Sequence, residues 1–272
     1  MPEAAYEIGS RVVLGRTGQF RNNYVESKSE TLADGKVVSE AITSQSGAVS
    51  FTNSDLQLLT LSNGNYIISS ETEVGGVVGG LNGIRGSAVI KNELGDAVAA
   101  LTLGQSDKQF SERELSLAQL SNGNIVVSFK EFANPLSSSN NENSFLRDGI
   151  IVQIFNENGL SVFSSFEAIP AVAGFVDKNA SLVSVSGGGY LLTWERVGAG
   201  ANADTDVMGL AFTANGERIG SEFRFGISSA GEQSELVSTT LADGRTLVVW
   251  NSDGKILGQL ISANGQKTGS LL

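Results

Sequence analysis

Short apolar runs alternate with polar ones along most of this chain, and glycine-centred turns interrupt them at regular intervals. Four stretches share one layout of apolar strand, tight turn and second apolar strand: Leu56–Ser70 around Asn63-Gly64, Leu115–Phe129 around Asn122-Gly123, Ala180–Trp194 around Gly187-Gly188, and Leu236–Trp250 around Asp243-Gly244. Asn-Gly, Asp-Gly or Gly-Gly between alternating hydrophobics is the strongest short-range hairpin signal. A second hairpin family alternates with the first, with turns at Ala33-Asp34-Gly35, Glu93-Leu94-Gly95, Glu157-Asn158-Gly159, Ala214-Asn215-Gly216 and Ala263-Asn264-Gly265. The first family is here termed inner and the second outer.

Spacing joins the two families into one unit. From each outer-turn glycine to the next inner one the steps are 29 (35 to 64), 28 (95 to 123), 29 (159 to 188) and 28 (216 to 244). From inner to outer they are 31 (64 to 95), 36 (123 to 159), 28 (188 to 216) and 21 (244 to 265). The constant step marks a structural connection and the variable one an exposed loop. The unit averages about 57 residues and carries four strands. Arg11–Phe20 supplies a degenerate first inner hairpin, which brings the count to five units, approximately 1–50, 51–110, 111–175, 176–230 and 231–272. A sheet of two hairpins cannot bury both faces alone, so identical sheets must stack. Radial stacking predicts an all-β fold, a single β-propeller of five four-stranded blades over 1–272. A β-solenoid has shorter rungs without hairpin turns, and a pair of β-sandwiches demands no strict repeat.

Composition agrees with this layout. Glycine is 33 of 272 residues and proline only 3, which suits many tight turns and not a disordered linker. The net charge of −11 repels phosphate, so nucleic acid and anionic membranes are unfavourable partners. No apolar run reaches the length of a membrane-spanning helix. The start, Met1-Pro2-Glu3-Ala4-Ala5-Tyr6, lacks the basic and apolar stretches of a signal peptide, which predicts another export signal or a fragment of a larger protein. Cysteine and histidine are both absent, which removes disulfides, thiolate zinc sites, thiol nucleophiles and imidazole chemistry.

The segment Phe225–Trp250, together with Gly258–Gly265 and Val152–Gly159, resembles a repeat of very large secreted bacterial RTX-type calcium-binding proteins and adhesins. The resemblance recurs over residues 50–272 as a pattern of turns and apolar positions. It implies an extracellular, bacterial, cell-surface setting. The nonapeptide calcium repeat of that family is absent, so its calcium dependence is not carried over.

Two positions in each unit, one acidic run and two carboxylate pairs attract attention. Six residues after the inner glycine stand Ser70, Phe129, Trp194 and Trp250, which fit blade-to-blade packing better than a ring of sugar-stacking platforms. Immediately after them come Glu71, Lys130, Glu195 and Asn251, polar residues that open onto the variable connections and form a candidate ligand-binding rim. Asn202, Asp204 and Asp206 alternate like the start of a calcium loop, but Val207 and Thr213 occupy the positions that need Gly and Glu. The pairs Glu71/Glu73 and Glu112/Glu114 would suit glycoside hydrolysis, which needs two carboxylates across a sugar, yet no recognisable motif accompanies them. On the residues alone the expected function is a non-catalytic extracellular module for adhesion or surface assembly, not an enzyme and without a cofactor, whose partner is a protein or glycan. A carbohydrate-binding lectin-like propeller is the first alternative and a glycan-acting enzyme using paired carboxylates the second.

Overall fold

The computed structural model describes residues 12–14, 26–31, 37–42, 53–74, 83–104, 110–133, 147–198, 204–226 and 232–272. Within them every regular element is a strand. Three short strands come first: β1 (Val12–Leu14), β2 (Glu26–Thr31) and β3 (Val37–Ile42). The first full sheet follows, with β4 (Asn53–Thr60), β5 (Tyr66–Val74), β6 (Gly83–Lys91) and β7 (Ala97–Leu101). The second holds β8 (Phe110–Gln119), β9 (Ile125–Ala133), β10 (Arg147–Phe155) and β11 (Ser161–Ile169). The third holds β12 (Phe175–Ser184), β13 (Tyr190–Gly198), β14 (Thr205–Phe212) and β15 (Arg218–Arg224). The fourth holds β16 (Gln233–Thr240), β17 (Thr246–Ser252), β18 (Lys255–Ile261) and β19 (Lys267–Thr268). Each is an antiparallel meander in which neighbours in sequence are neighbours in the sheet.

All eight turn glycines between these strands lie in the left-handed region, from Gly159 and Gly265 at φ 78° and 79° to Gly188 at 95°. In the first turn Gly64 N–H donates to the Leu61 carbonyl (3.1 Å) and Leu61 N–H donates to the Asn65 carbonyl (2.8 Å). The other seven repeat that pair of bonds. Only the turn glycine has positive φ, so the residue before it, Asn or Asp in six of the eight turns, occupies an ordinary turn position. This is the type I turn closed by a left-handed glycine bulge, whose twist matches paired strands.

The sheets stack as predicted for a propeller. Ile125, Val127 and Phe129 of β9 pack with Leu59, Ile67 and Ile90 of the first sheet, while Val126 packs with Leu182, Leu192 and Trp194 of the third. Tyr190, Leu192 and Trp194 of β13 face the second sheet, and Leu191 faces Val248 and Trp250 of the fourth. A blade buried on both faces needs apolar residues at successive positions, which accounts for the doublets Val126-Val127 and Leu191-Leu192. The first strands of successive sheets touch, β4 with β8, β8 with β12 and β12 with β16, so these are the innermost strands of the four-stranded meanders.

The first unit differs from expectation. Of the segment expected to form a first inner hairpin only Val12–Leu14 lies within the described residues, and it pairs antiparallel with β4, Val12 opposite Leu58 and Leu14 opposite Leu56. The edge of β4 offers free backbone donors and acceptors to any nearby extended chain, which the local sequence does not reveal. The outer hairpin expected around Gly35 is present as β2 and β3, paired from Glu26–Ile42 to Thr31–Val37. Four four-stranded blades are therefore described, together with the separate two-stranded sheet of β2 and β3.

Outer turns also lock the blades together. A Cβ on Gly265 would overlap the Ala211 Cβ of the preceding blade, whereas one on Gly64 would meet nothing. Both glycines have positive φ, so Gly64→Ala carries the backbone penalty alone, about 1 kcal/mol. Gly265→Ala adds overpacking and is expected to cost about 2–4 kcal/mol. Urea unfolding of the two variants checks this; equal midpoints would mean that the blades yield freely at this turn.

Candidate functional site

A four-stranded meander places both of its hairpin turns at one end and its remaining connections at the other. In every blade the two tight glycine turns therefore share one face of the molecule. The opposite face carries the ends of β5, β9, β13 and β17, where the variable connections begin, and the starts of the first strands. The innermost strands start at that loop-bearing face, and each is bulged there. Register shifts fall between Ser54 and Gln57, Arg113 and Ser116, Lys178 and Ser181, and Ser234 and Val237. The residues after Arg113, Lys178 and Ser234 have left-handed backbones: Glu114 at φ 57°, Asn179 at 53° and Glu235 at 57°. Asparagine visits this region readily, but for glutamate it costs about 1–2 kcal/mol. Strain repeated at equivalent positions persists only where the surroundings enforce it.

Those surroundings are carboxylates from the preceding blade. The Glu71 carboxylate accepts from the backbone N–H groups of Glu114 and Leu115, the latter at 3.3 Å. Glu195 Oε1 accepts from Glu235 N–H at 2.9 Å. Between the second and third blades the equivalent residue is Lys130, an ammonium with no oxygen to accept with, and it donates instead to the Asp177 carbonyl at 2.5 Å. There Glu114 itself reaches over, its Oε2 accepting from Asn179 N–H at 2.8 Å. Each of these three amides is thus met by a carboxylate oxygen from its neighbour, a bond of the stronger, charge-assisted kind. One residue pair further along, Leu182 N–H donates to Ser116 Oγ at 2.9 Å, and the Gln57 amide donates to the Leu115 carbonyl.

Three of the four residues expected on a ligand-binding rim are buried at that end of the strands. Glu71, Lys130 and Glu195 are only 4%, 3% and 3% exposed and act as struts between blades. Asn251 is half-buried and its side-chain oxygen accepts from Gly254 N–H in its own blade, at 2.9 Å. Strand alternation next to the buried aromatic positions does not reveal that the neighbouring blade covers this end of the strand as well. Phe129, Trp194 and Trp250 are buried core residues, and Ser70 shares a hydrogen bond with Ser87 at 3.1 Å. Of the calcium-loop residues, Asn202 lies outside the described residues. Asp204 is exposed, with its carbonyl accepting from Gly198 N–H at 3.1 Å, and Asp206 pairs with Arg224 at 3.5 Å. No group of three or more acidic side chains among the described residues is placed to share a metal ion. Of the carboxylate pairs, Glu71 and Glu114 are joined across a blade interface, while the side chains of Glu73 and Glu112 lie outside the described residues.

Beside the struts lies an ion-pair cluster. Arg196 grips the buried Asp177 through both carboxylate oxygens, Nε at 2.7 Å and Nη2 at 2.8 Å, and reaches Glu222 with Nη1 at 2.9 Å. The guanidinium also lies 5.6 Å from the centre of the Trp194 ring. The hydrogen bond to Asp177 leads in raising the Arg196 pKa above its ordinary value, with burial opposing it.

Sequence reasoning passed over Asn179 and Glu235. A signal for them exists: Asp55, Glu114, Asn179 and Glu235 all stand nine residues before the inner-turn glycine (64 − 55, 123 − 114, 188 − 179, 244 − 235). This repeat of polar residues opens each inner hairpin immediately before its first apolar position.

No family model matches this sequence, and no curated protein does. Solved structures share its fold. An α-L-arabinanase of Penicillium chrysogenum complexed with arabinobiose superposes with a TM-score of 0.57 at 10% identity, covering 95% of this chain and 84% of that one. A protein of unknown function from Dyadobacter fermentans gives 0.55 at 14% identity, covering 89% and 70%. An exo-1,5-α-L-arabinanase from a bovine ruminal metagenomic library gives 0.54 at 10% identity, covering 97% and 94%. At these identities the likeness establishes the fold. It also corrects the expectation of a non-catalytic adhesion or scaffolding module, and with it the exclusion of an enzyme. Those readings rested on the lack of a contiguous catalytic motif, whereas this architecture carries arabinanases.

Proposed function

We propose that this protein is a glycan-acting hydrolase whose reaction occurs at the loop-bearing end of the axis, with Glu114 and Glu235 as its carboxylate pair. The observation that carries the proposal is the placement of these two glutamates at equivalent, strained, left-handed positions of innermost strands in the second and fourth blades. Glu235 is exposed and Glu114 half-buried. Glycoside hydrolysis uses one carboxyl group to protonate the departing oxygen and a second to attack the anomeric carbon or activate water. Two glutamates either side of the third blade's Asn179 supply that pair in a chain that has neither histidine nor cysteine. The fold shared with arabinanases supports the reading and makes arabinose-containing glycans the first substrates to try.

Two finer points belong to the same proposal. The β2–β3 hairpin is the outer hairpin of a fifth blade, since it precedes the first inner turn by the same step as its counterparts. The protein acts outside the cytoplasm, where polymeric glycans are met.

Release of reducing ends from arabinan and xylan oligosaccharides, and of nitrophenol from the matching aryl glycosides, tests the function. Glu235→Gln and Glu114→Gln are each expected to reduce turnover to background while the circular dichroism spectrum stays that of the parent. Turnover unaffected by Glu235→Gln would refute the assignment.

A further inference from the structure

The proposed pair is separated by a whole blade, yet a continuous chain of hydrogen bonds joins the two glutamates. Glu114 Oε2 accepts from the backbone N–H of Asn179 at 2.8 Å. The side-chain Nδ2 of the same Asn179 donates to Glu195 Oε2 at 2.8 Å. Glu195 Oε1 in turn accepts from the backbone N–H of Glu235 at 2.9 Å. The run passes through three blades and uses both ends of Asn179 and both oxygens of Glu195. Lys178 adds a cation 3.8 Å from Glu195 Oε2. Glu195 is buried, so its carboxylate is held where solvent cannot substitute for either bond.

We infer that Asn179 and Glu195 are positioning residues: they set the backbone of Glu235 and the carboxylate of Glu114 relative to each other, and touch no substrate themselves. This rests on the function proposed above. The chemistry of the relay dictates its residue types. Asn179 must tolerate a left-handed backbone and offer a side-chain donor, which asparagine does. Glu195 must offer two acceptors in different directions, which only a carboxylate does. Misplacement of a reacting group by a fraction of a bond length slows the chemical step while leaving substrate affinity nearly intact.

The polarity of one bond can be reversed, which gives a sharp test. Asn179→Asp sets two carboxylates against each other, and Glu195→Gln sets two amide donors against each other. The double variant Asn179→Asp/Glu195→Gln restores a bond. The amide introduced at position 195 now donates to the carboxylate introduced at position 179, while its oxygen still accepts from Glu235. Each single change is expected to lower kcat about tenfold with KM within about twofold of the parent, and the double change to recover most of the loss. Hydrogen exchange at the Glu235 amide reads the relay without any activity: about tenfold faster in either single variant and near the parental rate in the double. Asn179→Ala, which trims one exposed side chain, serves should Glu195→Gln fail to fold, and is expected to speed Glu235 exchange similarly. A double variant no better than the combined singles, or Glu235 exchange unmoved by the single changes, would overturn the inference. If the parent cleaves no glycoside the proposed function fails, and the exchange rates still decide whether the relay exists.

Discussion

Trp194→Ala should lower the free energy of unfolding by about 4 kcal/mol, within the range for buried tryptophan truncation. Trp194 is fully buried and packs in the cluster where Ala118, Val126, Ile150 and Val152 of the second blade meet Leu182, Leu192 and Leu210 of its own. Truncation leaves a void between two β-sheets, and sheets that are hydrogen-bonded edge to edge relax poorly to fill it. The Arg196 guanidinium over the ring also loses its aromatic partner. Trp194→Phe separates volume from polarity. The indole N–H has no hydrogen-bond partner among the described residues, so phenylalanine sacrifices packing without orphaning an acceptor there, and about 1–2 kcal/mol is expected. Denaturant unfolding of the three proteins gives the comparison. Equal losses for Ala and Phe would show that the ring's contacts, not the cavity, dominate. Against a typical domain stability of about 5–15 kcal/mol, the alanine variant forfeits a large share.

The second large effect concerns Asp177. Its carboxylate is almost completely buried and is held by two nitrogens of Arg196. Removing one member of a buried pair strands the other, which typically costs about 3–5 kcal/mol. Arg196 keeps Glu222 at 2.9 Å, so Asp177→Ala should fall at the lower end, near ~3 kcal/mol. Adding Arg196→Met to Asp177→Ala removes the stranded charge and is expected to restore about 1–2 kcal/mol of that loss. Thermal or urea unfolding of the single and double variants completes the cycle. A double variant less stable than Asp177→Ala would mean that the guanidinium contributes mainly through Trp194 and Glu222.

Both variants act in the third blade, where reading the chain alone succeeded and failed side by side. The aromatic at the sixth position after the inner glycine was legible as packing, because large apolar residues between doublets such as Leu191-Leu192 have few other uses in a two-faced sheet. The residue directly after it was not. Glu195 in isolation resembles a solvent-facing end of a strand. It is buried because the next blade's bulge presents an unsatisfied amide, Glu235 N–H, that a carboxylate can satisfy. Lys130 shows the same point with the charge reversed: at that blade interface the acceptor comes from Glu114, sixteen residues earlier in the chain (130 − 114). No local pattern anticipates such an exchange.

What the sequence determined by itself is periodic and local. Hairpin turns, the positive φ of their glycines, the four-strand unit and the doublets that cover both faces all follow from turn chemistry and alternation within about fifteen residues of chain. The tertiary structure alone decided which strands lie innermost, that their first turns bulge into left-handed geometry at Glu114, Asn179 and Glu235, and which blade's carboxylate meets each amide. Those facts depend on groups that come from different repeats and meet only when the sheets stack. A hydrogen bond of 2.9 Å between residues forty positions apart leaves no trace in the spacing of either strand.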